Sequence, residues 1–418
     1  MIRFLSEDDA IKKYNGLETP VLYMVFNRLD IVKKAFGQIK KVKPKKLYIA
    51  QDGPREHIEG EKEKVLAVRD YILSSIDWDC EVKTLFREKN LGIDKAILSA
   101  IDWFFEHEEQ GIILEEDIYM SLSGFWFLEK MLNKFEDDKD IWFVLAYNII
   151  DIPYDYVKTD YFWSWGYASW ADKWKKLMFS KKVDFGQIKD SSFLYKYFEN
   201  PRLSKLYEIY LVLHDKNKDF YDVRISRELI CKNGYSIIPK IPLSSHIGFE
   251  NSTYFSEATK DIFIDNVEKY HVAVEDLRDI DLSYLDEYNE TYFINTFEKV
   301  LNIFGKYNIF YALVSNDIED KIKKILLNYK KISIYGVGVM GQAFYLVYND
   351  LLNNKVCCFL DDNPKDKELM GKPILKPENI PEDVELVIIS PQSKKAYEAM
   401  KEKVSGRNVV WLRDIILS

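Results

Sequence analysis

The stretch Pro20–Arg28, PVLYMVFNR, decides the fold of this chain. Its first seven residues form an unbroken apolar run, and a polar turn and a stretch of helical period follow as far as Ile39. Such a run is typical of a strand that is buried on both faces of a parallel sheet. The same order of strand, loop and helix is repeated from Lys46–Ala50, where a second apolar strand leads through Gln51–Arg55 into a helical stretch. We therefore predict an α/β fold with a mostly parallel sheet and helical crossovers.

Two further predicted strands extend this sheet. Glu81–Phe86 leads through a polar loop into an amphipathic helix over Ile93–Glu106. Gly111–Leu114 is a fourth strand, and it ends on the three consecutive acids Glu115–Asp117. Beyond these acids the regular alternation gives way to segments rich in Trp and Tyr, which continue to about residue 255.

The length of 418 residues predicts more than one domain, because single hydrophobic cores stop growing at roughly 250 to 300 residues. We predict an α/β domain over residues 1–255, a charged helical connector over residues 256–330, and a small Rossmann-like domain over residues 331–418. The hydrophobic share of 47% and the charged share of 30% are ordinary for globular proteins, which argues against wholesale disorder.

Charge and cysteine usage disfavour several function classes. A net charge of -9 and a pI near 5.4 disfavour a nucleic-acid binder, which normally has a basic stripe, and the four cysteines lack zinc spacing. We expect a cytoplasmic protein, because the chain has no apolar leader and no run near the roughly 18 apolar residues that cross a bilayer. The lysine cluster Lys40–Lys46 leaves peripheral contact with the inner face of a membrane open. A homo-oligomer also stays open.

Polar side chains follow the predicted strands at the edge where open parallel sheets bind their ligands. Arg28, Asp52 and Arg87 follow the first three strands, and Glu115–Asp117 follows the fourth. A carboxylate such as Asp52 can accept the imide N–H of a pyrimidine, and guanidinium groups bind base carbonyls or phosphates. The acid cluster can hold Mg²⁺ or Mn²⁺, for which Asp117 is the natural ligand. Taken singly, these residues are equally explained as solvated loop residues, and the acids as a helix cap.

The order and spacing of these pieces resemble the GT-A glycosyltransferases, particularly the N-acetylglucosaminyltransferase I type and related bacterial enzymes of surface-polysaccharide synthesis. The resemblance spans roughly residues 18–255 and is carried by the following segments: PVLYMVFNR (20–28), QDG (51–53), REKNLG (87–92), ILEED (113–117), WSWGYASW (163–170), FYDVR (220–224) and GYSIIPKIPLSSHIGFEN (234–251). It implies an inverting, hexosyltransferase-type enzyme that uses Mn²⁺ or Mg²⁺. Such an enzyme moves a sugar from a nucleotide diphosphate sugar to a glycan or lipid-linked acceptor.

The resemblance also implies roles for the residues at the strand ends. Asp117 would hold the metal that bridges the diphosphate. Glu116 would bind the ribose, although this family more often has Asp at that position, and Glu115 would lie near the transferred sugar. The full set of implied donor-binding residues is Arg28, Asp52, Arg87, Glu115 and Glu116.

The remaining implied roles fall on residues beyond the acid cluster. An inverting transfer needs a base for the proton of the acceptor hydroxyl, and Asp222 matches the family's base position. The alternative is a surface acid that pairs with Arg224. His246 is a candidate metal or phosphate contact, or simply a structural loop residue. The implied acceptor-side wall consists of Trp163, Trp165 and Gly166. Packing beneath the sheet explains the two indoles equally well.

The C-terminal segment carries a glycine-rich turn between a predicted strand, Lys331–Tyr335, and a helix from Gln342 to Asn353. The spacing is that of a GxGxxG nucleotide-type loop, with an acid near the distance expected for a ribose contact. Its residues are Gly336, Gly338, Gly341 and Asp361. The segment resembles the small Rossmann domains attached to sugar-modifying enzymes of polysaccharide pathways.

Three other functions remain open at this point. A sugar-phosphate nucleotidyltransferase would share the sheet and the acids, but it usually carries a glycine-rich, Arg-containing loop after the first strand, where this chain has Asn27–Asp30. An NAD-dependent sugar oxidoreductase would act through residues 331–418, a short segment for both a dinucleotide and a substrate. A non-catalytic glycan-binding protein would not require Asp117 and Asp222.

Overall fold

The computed structural model describes residues 2–148, 152–159, 161–177, 221–248, 271–278, 313, 316–391 and 393–417. The described residues fall into two compact units. The first holds those up to 177 and those from 221 to 278, and the second holds those from 313 onwards. The boundary predicted at residue 255 lies outside the described residues.

The first unit is built on a large mixed sheet with helices between its parallel strands. Its strands are β1 (Phe4–Leu5), β2 (Val21–Val25), β3 (Lys46–Gln51), β4 (Glu81–Phe86), β5 (Gln110–Glu115), β6 (Ile118–Met120), β7 (Ile141–Leu145), β8 (Tyr156–Thr159), β9 (Tyr167–Trp170), β10 (Tyr235–Pro239), β11 (Ser244–His246) and β12 (His271–Val272). Its α-helices are α1 (Glu7–Lys13), α2 (Leu29–Val42), α3 (Glu61–Ser75), α4 (Ile93–Phe105), α5 (Leu122–Lys134), α6 (Ala171–Trp174) and α7 (Tyr221–Lys232).

The large sheet has the strand order β4-β3-β2-β5-β9-β7-β10-β8. The half from β4 to β5 is parallel throughout, whereas β9 runs antiparallel to both of its neighbours. Every residue of β2 is buried, as its continuous apolar run predicts. The carboxyl ends of β4, β3, β2 and β5 therefore lie at the same edge of the sheet.

Two small antiparallel pairs complete the first unit. β6 pairs with β11, so that His246 lies opposite Ile118, the residue that follows Asp117. β1 pairs with β12. The strand β12 falls inside the segment predicted as a helical connector, and most of that segment lies outside the described residues. The connector therefore stays a prediction.

The second unit contains a six-stranded sheet. Its strands are β13 (Ile332–Tyr335), β14 (Val356–Leu360), β15 (Glu368–Leu369), β16 (Lys372–Leu375), β17 (Leu386–Ile389) and β18 (Asn408–Trp411). Its α-helices are α8 (Asn316–Leu326), α9 (Val339–Val347), α10 (Asn349–Leu352), α11 (Lys394–Lys403) and α12 (Leu412–Leu417). The order is β15-β16-β14-β13-β17-β18, and every pair except β15 with β16 is parallel.

Both sheets confirm the predicted α/β class. The helix predicted over residues 342–353 differs in detail, since α9 begins at Val339 and the shorter α10 follows it. The helix begins early because Gly338 is its N-cap and has an extended conformation. Within the described part of the chain, no helix is both long and apolar enough to span a membrane.

Candidate functional site

The acid cluster lies in the turn between β5 and β6, at the carboxyl end of β5. Pairing of β6 with β11 carries His246 to this turn, and its Nε2 atom lies 3.2 Å from Oδ2 of Asp117. Asp117 is 8% exposed and Glu116 is 6% exposed. Acids this deeply buried need compensating partners.

Arg28 supplies that compensation from the neighbouring strand. It follows β2, which is paired with β5, and its Nε atom donates to Glu116 at 2.5 Å while Nη2 donates to Asp117 at 2.5 Å. The backbone N–H of Phe26 also donates to Glu116. Arg28 is thus joined in one ion-pair network to two acids that follow it by 88 and 89 positions in the sequence.

Gly248 also contacts this ion-pair network. Its carbonyl oxygen accepts a hydrogen bond from Nη1 of Arg28 at 3.4 Å. A Cβ atom at position 248 would lie 2.5 Å from Oδ2 of Asp117 and 2.7 Å from Nη1 of Arg28. The acid and the guanidinium therefore require glycine at this position.

The three consecutive acids have different electrostatic environments. Burial raises the pKa of Glu116, although Arg28 opposes the shift. Burial also acts on Asp117, but there His246 and Arg28 prevail and hold the pKa of the carboxyl well below its ordinary value. Burial, reinforced by the charge of Asp117, raises the pKa of Glu115 to about 8. At neutral pH the cluster thus offers an ionised Asp117 beside a protonated Glu115.

Glu115 connects the cluster to the candidate base. Its Oε1 atom accepts a hydrogen bond of 2.9 Å from the hydroxyl of Tyr221, the first residue of α7. Asp222 is the next residue, and its charge also acts to raise the pKa of Glu115. Arg224 forms an ion pair of 3.2 Å with Asp94 on α4. The structure therefore places Asp222 near the acids and gives Arg224 an acidic partner other than Asp222.

The predicted acceptor-side residues lie beside His246. The Trp165 ring lies 5.1 Å from the His246 ring and 5.1 Å from the ring of Trp163. Trp165 is 6% exposed and packs on Tyr147, whereas Trp163 is only partly buried. Gly166 has φ +84, and a Cβ there would lie 2.5 Å from Met120. Of the two indoles, Trp163 has the more accessible surface for a sugar ring.

Asp52 follows β3, and its carboxylate is engaged by the protein itself. It accepts hydrogen bonds from the backbone N–H groups of Gly53, Leu91 and Gly92 and from the side-chain amide of Asn90, at 2.9 to 3.2 Å. Four donors match the roughly four acceptor positions of a carboxylate. Asp52 therefore fixes the loop after β4.

Arg87 lies at the far end of the same edge. It follows β4, three strands from β5, which corresponds to roughly 14 Å at about 4.8 Å per strand. Its Nη2 atom donates to Ser99 at 2.8 Å, and partial burial lowers its pKa. The predicted donor residues thus line one edge, but only Arg28 contacts the acids directly.

A second ion pair on this edge, between the buried Glu61 and the exposed Arg55, was not predicted from sequence. Glu61 is 2% exposed and accepts hydrogen bonds from the side chain of Asn27 at 3.0 Å and from the backbone N–H of Arg55 at 2.7 Å. The Arg55 guanidinium pairs with Glu61 and lies over the ring of Phe26. The signal in sequence was weak, because Arg55 and Glu61 stand six residues apart across a loop without a motif.

Oδ2 of Asp117 and Nε2 of His246 have the spacing of two ligands of one divalent cation, and Nη2 of Arg28 contacts the same oxygen. Neighbouring ligands of an octahedral ion at about 2.1 Å are roughly 3.0 Å apart, close to the 3.2 Å that separates these two atoms. The described residues contain no group of three or more His, Cys, Asp or Glu side chains with metal-binding geometry. A cation here would have one oxygen and one nitrogen ligand from the protein, as suits an ion that also binds phosphates and water.

The C-terminal glycine loop belongs to the second unit. Gly336 has φ +106, and a Cβ at Gly341 would lie 2.1 Å from the carbonyl oxygen of Gly336. Gly338 is the N-cap of α9, and Asp361 follows β14 and accepts a hydrogen bond from the backbone N–H of Asn363 at 2.9 Å. The loop thus has the strand, turn and helix context that its spacing predicts.

Comparisons with known proteins give weak likenesses only. No family model and no curated protein matches the chain. HddC from Yersinia pseudotuberculosis is 11% identical over 37% of this chain and 77% of that chain, with a TM-score of 0.25. Apo UDP-glucose pyrophosphorylase is 10% identical over 55% and 93%, with a TM-score of 0.30. The glycosyltransferase GlyE of Streptococcus pneumoniae TIGR4 is 11% identical over 94% and 92%, with a TM-score of 0.24. Similarities with TM-scores this low support no conclusion about the fold or the function of this chain.

Proposed function

We propose that the first unit is a metal-dependent, inverting glycosyltransferase of the GT-A type. It would transfer a hexosyl group from a nucleotide diphosphate sugar to a glycan or lipid-linked acceptor in surface-polysaccharide synthesis. The observation that supports this most directly is the meeting of Arg28, Asp117 and His246 at the carboxyl end of β5. The resemblance in the order of the sequence motifs supplies the reaction class.

The donor diphosphate would bind at this meeting point. Asp117 and His246 would hold Mn²⁺ or Mg²⁺, which offsets the charge of the diphosphate as it leaves. Arg28 is fixed by two carboxylates, so its position is set before any ligand binds. Burial alone would lower the pKa of Arg28, but the charges of Glu116 and Asp117 prevail and raise it above the ordinary value, so Arg28 stays cationic.

Asp222 would act as the base. The acceptor hydroxyl oxygen attacks the anomeric carbon, Asp222 accepts the hydroxyl proton, and the bond between the anomeric carbon and the diphosphate oxygen breaks. The nucleoside diphosphate leaves with the electron pair, and the anomeric configuration inverts. Glu115, protonated at neutral pH, would contribute a hydrogen bond near the sugar.

A donor screen tests this proposal. We expect one class of nucleotide diphosphate sugar to raise the melting temperature of the wild-type protein in the presence of Mn²⁺, because a ligand that binds only the folded state stabilises it. Asp117→Asn should abolish this rise, whereas Asp77→Asn, which alters an exposed acid paired with Lys40, should preserve it.

An activity measurement then distinguishes the reaction classes. The stabilising donor, supplied with a glycan acceptor, should yield free nucleoside diphosphate and a product of inverted configuration. Release of pyrophosphate from a nucleoside triphosphate and a sugar phosphate would instead identify a nucleotidyltransferase and reject the proposal.

A further inference from the structure

Two adjacent cysteines, Cys357 and Cys358, lie in β14 of the second unit, and the proposed transfer reaction uses neither of them. Both are free thiols, and their Sγ atoms are only 3.7 Å apart. Successive side chains of a regular strand point to opposite faces of the sheet, which keeps neighbouring thiols apart. The contact between the two sulfur atoms therefore requires a departure from regular strand geometry.

A β-bulge in β14 supplies this departure. Where β14 pairs with β13, Ile332 lies opposite Val356, but the next residue, Ser333, lies opposite Cys358. Cys357 is thus an extra residue of β14, and an extra residue interrupts the alternation of side chains. Cys358 belongs to a buried apolar cluster of this unit, and Cys357 packs against the same cluster. The bulge therefore brings both thiols to one side of the sheet.

The two thiols differ in access and in acidity. Cys358 is 1% exposed, whereas Cys357 is only partly buried. The hydrogen bond with Cys358 and the charge of Lys331 lower the pKa of Cys357 to about 7, although burial opposes this shift. The same hydrogen bond and burial raise the pKa of Cys358. Because the thiolate is the nucleophile, Cys357 is the thiol that reacts first with a small reagent from solvent.

We propose that Cys357 and Cys358 form a reversible oxidation site that responds to peroxide. The Cys357 thiolate attacks one oxygen of hydrogen peroxide, the O–O bond breaks, and Cys357 becomes a sulfenic acid while hydroxide leaves. The Cys358 sulfur then attacks the Cys357 sulfur, the S–O bond breaks, and the leaving hydroxide takes the Cys358 proton to form water. Two thiols are thereby oxidised to one disulfide. The peroxide is reduced to two water molecules, counting the proton that Cys357 released when it ionised.

The disulfide of this site should be easily reduced. Consecutive Cα atoms are about 3.8 Å apart, whereas the Cα atoms that a disulfide joins are usually about 4.4 to 6.8 Å apart. A bond between adjacent cysteines is therefore strained, and strained disulfides are the labile ones. The burial of Cys358 also keeps its sulfur from a second protein molecule, which favours the bond within the chain. The pair is thus suited to a reversible change rather than to permanent cross-linking.

Mass spectrometry of the full chain tests the proposal, because the tryptic peptide of residues 356–365 contains both thiols and no other cysteine. The native protein is exposed to hydrogen peroxide at neutral pH, and the remaining thiols are then labelled with N-ethylmaleimide in urea. We expect this peptide to be unlabelled and two hydrogen atoms lighter than its dithiol form. Dithiothreitol before labelling should restore the doubly labelled peptide. Cys80 is the internal control, because burial raises its pKa to about 11 and it should stay labelled.

Three single variants separate the roles of the two thiols. Cys358→Ser should form a sulfenic acid at Cys357, which dimedone traps, and no disulfide within the peptide. Cys357→Ser should leave Cys358 labelled, with oxidation of the peptide at least about tenfold slower than in the wild type. Cys80→Ser should form the disulfide as the wild type does.

The wild-type protein alone is enough to overturn the proposal, whether or not every variant folds. A peptide that keeps both labels after Cys80 has lost its own would show that the pair is not the reactive site. Sulfinic or sulfonic acid at Cys357 without a disulfide would show that Cys358 does not attack the oxidised sulfur. A disulfide that joins two protein molecules through Cys357 would reject the bond between neighbours.

Discussion

Replacement of Glu115 by Gln should flatten the pH dependence of the stability of the first unit. Burial and the charge of Asp117 raise the pKa of Glu115 from 4.5 to about 8. The unfolded chain therefore loses this proton at a lower pH than the folded protein does. The contribution of Glu115 to stability is complete below pH 4.5 and is lost as the pH rises to about 8.

The size of the effect follows from the shift. One pKa unit corresponds to about 1.4 kcal/mol, so a rise from 4.5 to about 8 sets an upper limit of roughly 5 kcal/mol, most of which is lost between about pH 5 and pH 8. Gln has nearly the same shape and does not titrate. Its amide oxygen can still accept the Tyr221 hydroxyl, so the variant removes the charge and keeps the hydrogen bond.

Urea unfolding of both proteins at a series of pH values between about 5 and 8 measures the effect. Tryptophan fluorescence reports chiefly on the first unit, because Trp411 is the only one of the nine tryptophans in the second unit. The free energy of unfolding of Glu115→Gln should rise relative to the wild type by about 3 kcal/mol across this range. The exposed-site control Glu63→Gln should show no such rise. A constant difference between Glu115→Gln and the wild type would refute the reasoning.

Three further substitutions test other parts of the site. Asp222→Asn should lower turnover by roughly 10² to 10⁴ while donor affinity persists, since only the proton acceptor is lost; near-normal turnover would reject the base assignment. Asp52→Ala should destabilise the first unit by about 1 to 3 kcal/mol, measured by urea unfolding, because the backbone N–H groups of Leu91 and Gly92 lose a charged acceptor; an unchanged midpoint would contradict this role. Gly248→Ala should weaken donor binding in a thermal-shift titration, because its methyl group displaces Asp117 or Arg28; unaltered binding would show that the network tolerates the shift.

The positions of the strands could be predicted from sequence because a buried strand appears there as a continuous run of apolar residues. The run in β2 is apolar because both faces of the strand are covered. β4 occurs over the residues that the pattern indicates, and α4 ends one residue earlier than predicted. Polar residues at the strand ends then had to share one edge, since parallel strands end together. The common edge of the strands is therefore enough to predict that Arg28 and the acids lie together, without any knowledge of their contacts.

Individual pairings could not be predicted in the same way. The contact of Tyr221 with Glu115 joins residues 106 positions apart, and nothing in the local pattern specifies it. The four hydrogen bonds that the Asp52 carboxylate accepts from nearby protein groups have no signal in the sequence, and its contact with a nucleotide base stays a prediction. Periodicity encodes which residues are buried and where strands end, whereas the partner of a loop carboxylate depends on how two loops pack.

The contrast between Glu115 and Asp117 explains how two acids of one cluster limit their mutual repulsion. Asp117 faces His246 and Arg28, which stabilise its ionised form, while Glu115 faces the Tyr221 hydroxyl in a buried environment that favours its protonated form. Two carboxylates whose environments push their pKa values apart can serve separate purposes, one binding a cation and the other donating a hydrogen bond. A cation at Asp117 would attenuate the negative charge that reaches Glu115. Cation binding should thereby lower the pKa of Glu115 and couple the protonation of Glu115 to the occupancy of the Asp117 site.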